Sequence, residues 1–160
     1  MIKKLLPLLV LSTISATTVA ATPPNTLVVA QGLDDLVSLD PAEANELSSI
    51  QTVPSLYQRV VKPDRNDPTK ITPILAESWQ ADPAAKTLTI KLKSDAKFAS
   101  GNPVRPEDVI YSYVRAVTLN KSGAFILNVL GWQPENIASQ LKKIDDHTVQ
   151  VQWSADVSPA

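Results

Sequence analysis

The sequence has no cysteine, one histidine and 4 glycines among its 160 residues. Without cysteine there can be no disulfide, no thiolate metal centre and no thiol nucleophile. The single imidazole, His147, lies in Asp145-Asp146-His147-Thr148 between two predicted strands. A metal centre would want further ligands, and no other histidine or cysteine is there to supply them, so His147 reads as a turn residue. No glycine-rich phosphate loop, nucleophile elbow or zinc-protease helix motif is present. The adjacent Asp34 and Asp35 would point to opposite faces of an extended segment, which suits an exposed loop and not a catalytic dyad. No excess of positive charge appears either: 15 basic residues meet 16 acidic ones, for a formal net charge of -1. A nucleic-acid surface would show a basic stripe, and none is visible.

What is present suits one globular domain, with 44% hydrophobic and 19% charged residues. The apolar run Leu5 to Ile14 follows Lys3 and Lys4 and precedes the small residues Thr18-Val19-Ala20-Ala21. That order of basic, apolar and small segments predicts a secretory signal peptide over residues 1–21, leaving residues 22–160 as the mature chain. The run is broken by Pro7, Ser12 and Thr13 and is too short to span a bilayer, so no stable membrane anchor is expected after cleavage. With no cysteine at the cleavage site, a lipoprotein anchor is excluded, and the predicted compartment is the periplasm or the cell exterior.

Thr26 to Ala30 is β-branched and apolar and predicts a buried strand. Leu36 to Pro41 reads as extended, because Pro41 biases Asp40 away from the helical region. Ala42 to Val61 predicts an interrupted helix, with Pro54 near a second helix start. Lys62 to Thr69 is a turn-rich loop without the spaced acidic ligands, central glycine and terminal glutamate of a calcium site, and it predicts a solvated hairpin tip. Ile71 to Trp79 reads as a strand or short turn leading into Ala76-Glu77-Ser78-Trp79. From Lys86, the residues Leu88, Ile90 and Leu92 alternate with Thr87, Thr89, Lys91 and Lys93, the period of a strand wet on one face. Phe98 is expected to re-enter the core.

A helix is predicted from Arg105: Pro106 suits a first-turn position, Glu107 and Asp108 favour the positive end of the dipole, and Val109, Ile110, Tyr113, Val114 and Val117 form the apolar stripe. Arg115 is expected to complement the far end. Ala124 to Leu130 and Pro134 to Ala138 predict short helical pieces. Lys142 to Trp153 predicts strand, turn, strand, with Val149, Val151 and Trp153 alternating against Gln150 and Gln152. Trp79 and Trp132 are read as core plugs ahead of ligand contacts.

Ala76-Glu77-Ser78-Trp79, the strand Leu88 to Leu92, Ser94-Asp95-Ala96-Lys97-Phe98, Ser100-Gly101-Asn102-Pro103-Val104 and Pro106 to Tyr113 together resemble the signature region of the periplasmic oligopeptide- and dipeptide-binding proteins, the family 5 extracellular solute-binding proteins of ABC transporters. The tail Lys142 to Val151 resembles the strand pair that follows in that family, and Ala84-Ala85 stands at a turn where many members carry Asp-Gly.

The resemblance implies an α/β fold, a mixed sheet with helices, as an incomplete first lobe of the two-lobed type II periplasmic-binding-protein fold. Members run to several hundred residues, so the chain is expected to be a fragment or a truncated reading frame, poorly stable and aggregation-prone on its own. The implied function is capture of a peptide in an interlobe cleft and delivery to an inner-membrane ABC permease, with no enzymatic activity and no cofactor. The full-length receptor is expected to be a monomer. Alignment on Leu39-Asp40-Pro41 puts the family's ligand-lining segment on Asn45, Glu46 and Leu47. Alignment on the Tyr111 to Arg115 helix puts an aromatic cleft residue on Phe125; for Leu47 and Phe125 a core role is the alternative. Nickel complexes, opines and sugars also have receptors in this family, and a secreted interaction module with chaperone-like binding is the second reading.

Overall fold

The computed structural model describes residues 22–157. The chain divides into two compact units, one ending at Gln31 and the other beginning at Gly32. The predicted signal peptide lies outside the described residues.

In the first unit, Thr26 to Ala30 forms no strand. Leu27, Val28 and Val29 are all largely exposed. A strand needs a neighbour to take its backbone N–H and C=O groups. No ladder among the described residues includes this segment, so its β-branched composition has nothing to act on.

The second unit is organised around a four-stranded antiparallel sheet. Its strands are β3 (Ala76–Asp82), β4 (Thr87–Leu92), β5 (Leu141–Lys143) and β6 (Thr148–Gln152), in the order β3-β4-β6-β5. The alternation read in β4 appears as Ile90 and Leu92 buried and Lys91 exposed. Ile90 pairs with Val149 and Leu88 with Val151, so one apolar face runs across both central strands. Helix α2 (Pro106–Leu119) lays the predicted stripe on that face. Val109 joins Ala76, Ile90, Leu92 and Val149 in one cluster, and Val117 joins Trp132, Ile137, Leu141 and Val151 in a second. Leu88, Ile110 and Tyr113 bridge the two clusters. At the start of α2, Pro106 occupies the first helical position, where its missing N–H costs nothing, and the Asp108 carboxylate accepts from the Arg105 backbone N–H at 2.8 Å.

Trp132 is the core plug expected of it: it is 3% exposed, lies edge-on to Tyr113, and donates its indole N–H to the Gln152 carbonyl at 2.6 Å. Trp79 is not a core residue. It pairs with Ile90 on the outermost strand of the sheet, and it is 39% exposed. Gly131 has φ +82, and its carbonyl accepts from the Asn136 amide.

A separate hairpin pairs β1 (Val61–Pro63) with β2 (Ile71–Pro73) and leaves Asp64 to Lys70 at its tip, as the turn-rich composition predicted. Asp64 organises that tip by accepting from the Asn66 and Asp67 backbone N–H groups. The helix predicted over 42–61 is confined to α1 (Leu47–Leu56), with Pro54 in its last turn and not at a second start. Having no N–H, Pro54 donates no hydrogen bond to the helix, which ends two residues later. Ser122–Ala124 is a short 3-10 turn, followed by α3 (Phe125–Asn128) and α4 (Ile137–Gln140), single helical turns where short pieces were expected.

Candidate functional site

An open groove of about 1220 Å³ lies among the described residues. One wall is built from Leu39, Asp40, Pro41 and Ala42 together with Leu56 to Val61. The other comes from α2, including Tyr111, Ser112 and Arg115, with Lys97, Phe98 and Ala99 from the turn before it. Phe98 is 46% exposed and Tyr111 66%. Phe98 therefore does not re-enter the core. Its turn is closed by backbone hydrogen bonds from Phe98 to Asn102 and from Gly101 to Phe98, which turn the ring outward to the groove. Tyr111 falls off the α2 stripe by helical spacing, so its exposure follows from the pattern that buries Val109 and Val117.

The two walls meet at an ion pair. Arg115 donates through Nη1 to Asp40 Oδ1 at 2.8 Å and through Nη2 to Asp40 Oδ2, a fork-to-fork arrangement. Arg115 therefore serves a tertiary contact and not the helix C-terminus. The Asp40 carboxylate also accepts the Ala42 N–H at 3.0 Å, and its own N–H is taken by Ser38 Oγ at 3.1 Å. The Glu43 and Ala44 N–H groups bond the Asp40 carbonyl at 2.9 and 2.8 Å. Hydrogen bonds from the Arg115 guanidinium, then from the Ala42 N–H, hold the Asp40 carboxyl below its ordinary value. The same contact raises Arg115.

This tight turn delivers the chain to the N-terminus of α1, where three of the four predicted contact residues sit. Asn45 is exposed, Glu46 half-buried, and Leu47 is 67% exposed. Glu46 is the cap residue, yet its side chain bonds no N–H of the helix's first turn. Its carboxylate accepts from the Ser49 hydroxyl at 3.2 Å, and Asp35, well upstream, accepts the Ser48 N–H at 3.3 Å. Those contacts bury Ser48 and Ser49 while Leu47 faces outward. Phe125 opens α3 and is 62% exposed. Neither Leu47 nor Phe125 belongs to the buried core, and none of the four predicted residues lines the groove.

The groove residues that sequence reasoning missed are Asp40, Tyr57, Phe98, Tyr111 and Arg115. For Tyr111 the off-stripe position was a usable signal; for the Asp40–Arg115 pair, 75 residues apart, there was none.

His147 occupies the β5–β6 turn, with its N–H on Asp145 Oδ1 at 2.8 Å and its carbonyl taken by Leu92 N–H at 2.7 Å. Among the described residues, no group of three or more His, Cys, Asp or Glu is placed to hold a metal ion, and no helix is long and apolar enough to cross a membrane.

Comparison with known proteins places this arrangement in a family. The profile of the bacterial extracellular solute-binding proteins, family 5, matches residues 70–160. The probable D,D-dipeptide-binding periplasmic protein DdpA of Escherichia coli is 30% identical over 154 residues, covering 94% of this chain and 28% of that protein. The periplasmic murein peptide-binding protein MppA of Escherichia coli is 36% identical over 84 residues, covering 52% of this chain and 15% of the relative. The solved structure of the Escherichia coli murein tripeptide binding protein MppA superposes with a TM-score of 0.65 at 27% identity, over 75% of this chain and 25% of that one. The chain thus spans between 15% and 28% of the length of these relatives. It belongs to the bacterial extracellular solute-binding proteins of family 5.

Proposed function

We propose that this chain is the N-terminal part of a periplasmic peptide receptor of an ABC importer, which captures oligopeptides or dipeptides in an interlobe cleft and hands them to an inner-membrane permease. The observation that carries the reading is the match to family 5 across residues 70–160, joined to the alignment with a dipeptide-binding relative over 94% of the chain. Residues 1–21 are read as a signal peptide that delivers residues 22–160 to the periplasm, and the complete receptor as a monomer.

The geometry is consistent with such a task. A transport receptor holds and releases its solute unchanged, so it needs tolerant apolar walls and hydrogen-bonding edges and no nucleophile. The groove offers Leu56, Tyr57, Phe98 and Tyr111 as apolar and aromatic surface. At the exposed N-terminus of α1 and the start of α3, Asn45, Glu46, Leu47 and Phe125 are proposed as peptide contacts, with no catalytic role for any residue and no cofactor.

The test is calorimetric titration of the chain with peptides of two to five residues, run beside a nickel complex, an opine and a sugar. Saturable heat with peptides alone supports the reading. Binding confined to a non-peptide solute moves the receptor to another solute class, and saturable binding only to unfolded proteins favours a chaperone-like interaction module.

A further inference from the structure

The turn from Ser38 to Ala44 is a strap that would have little to hold it without a single cross-groove contact. Leu39 is 38% exposed and Pro41 is exposed, while Ala42, Glu43 and Ala44 are half-buried, so hydrophobic burial fixes it only in part. Its internal bonds, Ala42 N–H to the Asp40 carboxylate and Glu43 and Ala44 N–H to the Asp40 carbonyl, shape it locally without tying it to the sheet. Arg115 supplies the tie. It projects from the third turn of α2, whose opposite stripe is anchored in both core clusters through Val109 and Val117, and it grips Asp40 through both nitrogens.

We propose that Asp40 and Arg115 are a positioning pair that latches the strap to α2, fixing both the strap wall of the groove and the direction in which the chain presents Asn45, Glu46 and Leu47. The guanidinium fork sets an angle as well as a distance, which a flexible ammonium cannot do. Asp40 is the residue through which the strap's shape and its attachment are coupled: one carboxylate oxygen serves Ala42 N–H and Arg115 together. In its ligand-facing part the proposal rests on the peptide-receptor reading above. The strap's order is measured without any ligand, so the two can fail separately.

The experiment compares the full chain with Arg115→Lys, Arg115→Met and Asp40→Asn by amide hydrogen exchange, resolved at Ala42, Glu43 and Ala44 on the strap and at Ile90 and Val149 in the sheet. Arg115→Met is expected to speed exchange on the strap by about tenfold while the sheet amides keep their protection, with Arg115→Lys in between. Asp40→Asn, which also weakens the acceptor for Ala42, should speed the strap at least as much. Unchanged strap exchange in Arg115→Met overturns the latch, and so does an equal rise in strap and sheet, because that reports general unfolding. Carbon-13-labelled trialanine with free termini is the ligand probe, its release rate read by NMR exchange. If the wild-type chain binds it, Arg115→Met should release it faster, with partial rescue by Arg115→Lys, and equal release rates overturn the positioning role. If the wild-type chain binds no trialanine while the strap loosens as described, the latch stands and the positioning of peptide contacts is rejected.

Discussion

Replacing Gly131 with alanine should cost about 2–4 kcal/mol, from two separable causes. The backbone there has φ +82, and an alanine in that region pays about 1–2 kcal/mol. The added Cβ would also lie 2.1 Å from Ser154 Oγ and 3.3 Å from Ala155 N. The hydroxyl can rotate away. The backbone nitrogen cannot do so freely, because Ser154 and Ala155 both donate to the Leu130 carbonyl and hold the segment after β6 against the Gly131 turn.

Two other glycines serve as internal controls. Gly101 has φ +87, and a methyl group added there would meet nothing within 4 Å, so its alanine variant should show the backbone cost alone, about 1–2 kcal/mol. Gly123 lies in a 3-10 turn with open space around it, and its alanine variant should be neutral or stabilised by about 0.5 kcal/mol. Urea unfolding followed by tryptophan fluorescence is suited to the comparison, since Trp132 and Trp153 are both 3% exposed when folded. A Gly131→Ala variant no less stable than Gly101→Ala would refute the close approach of these two segments.

Trp132→Phe should lose about 1–3 kcal/mol, because it removes the indole N–H from the Gln152 carbonyl and empties part of the second core cluster; thermal unfolding reads this. Asn120 ends α2 in the left-handed region at φ 46, so Asn120→Gly should stabilise by about 0.5–1 kcal/mol in the same melts, while a β-branched residue there should destabilise. Asp40 is held below its ordinary 3.8 by Arg115, so the folded state favours the charged form. The stability it contributes is complete above that pH and is lost as pH falls through the lower folded-state value. Unfolding free energies of wild type and Asp40→Asn should therefore differ at neutral pH and converge in acid, and a difference that persists unchanged in acid would count against the pair.

The parts of this fold that could be read directly are those in which local pattern and tertiary burial agree. The alternation of β4 and the stripe of α2 are two faces of one interface, and each predicts its own burial because the other supplies the cover. Pro106 with Asp108 marks the start of α2 from residues three apart at most. Thr26 to Ala30 shows where local pattern stops: composition gives strand propensity, but strand formation belongs to a pair. Trp79 and Phe98 show another limit. Both are large and apolar, yet Trp79 sits at a sheet edge and Phe98 on a turn closed by its own backbone bonds, and neither circumstance is encoded in hydrophobicity. In the candidate site Tyr111 could be found by subtracting the α2 stripe, whereas Tyr57 and Phe98, which lie outside that helix, could not. The Asp40–Arg115 pair could not, because nothing local to either residue specifies a partner 75 positions away.

The most direct test of the peptide-receptor reading is native mass spectrometry of the protein recovered from the periplasm, before any unfolding step. A peptide receptor should carry adducts with the masses of short peptides, which disappear on denaturation and return when defined peptides are added to the refolded chain. Recovery with a non-peptide solute as the sole exchangeable adduct, and no uptake of any added peptide, would contradict it.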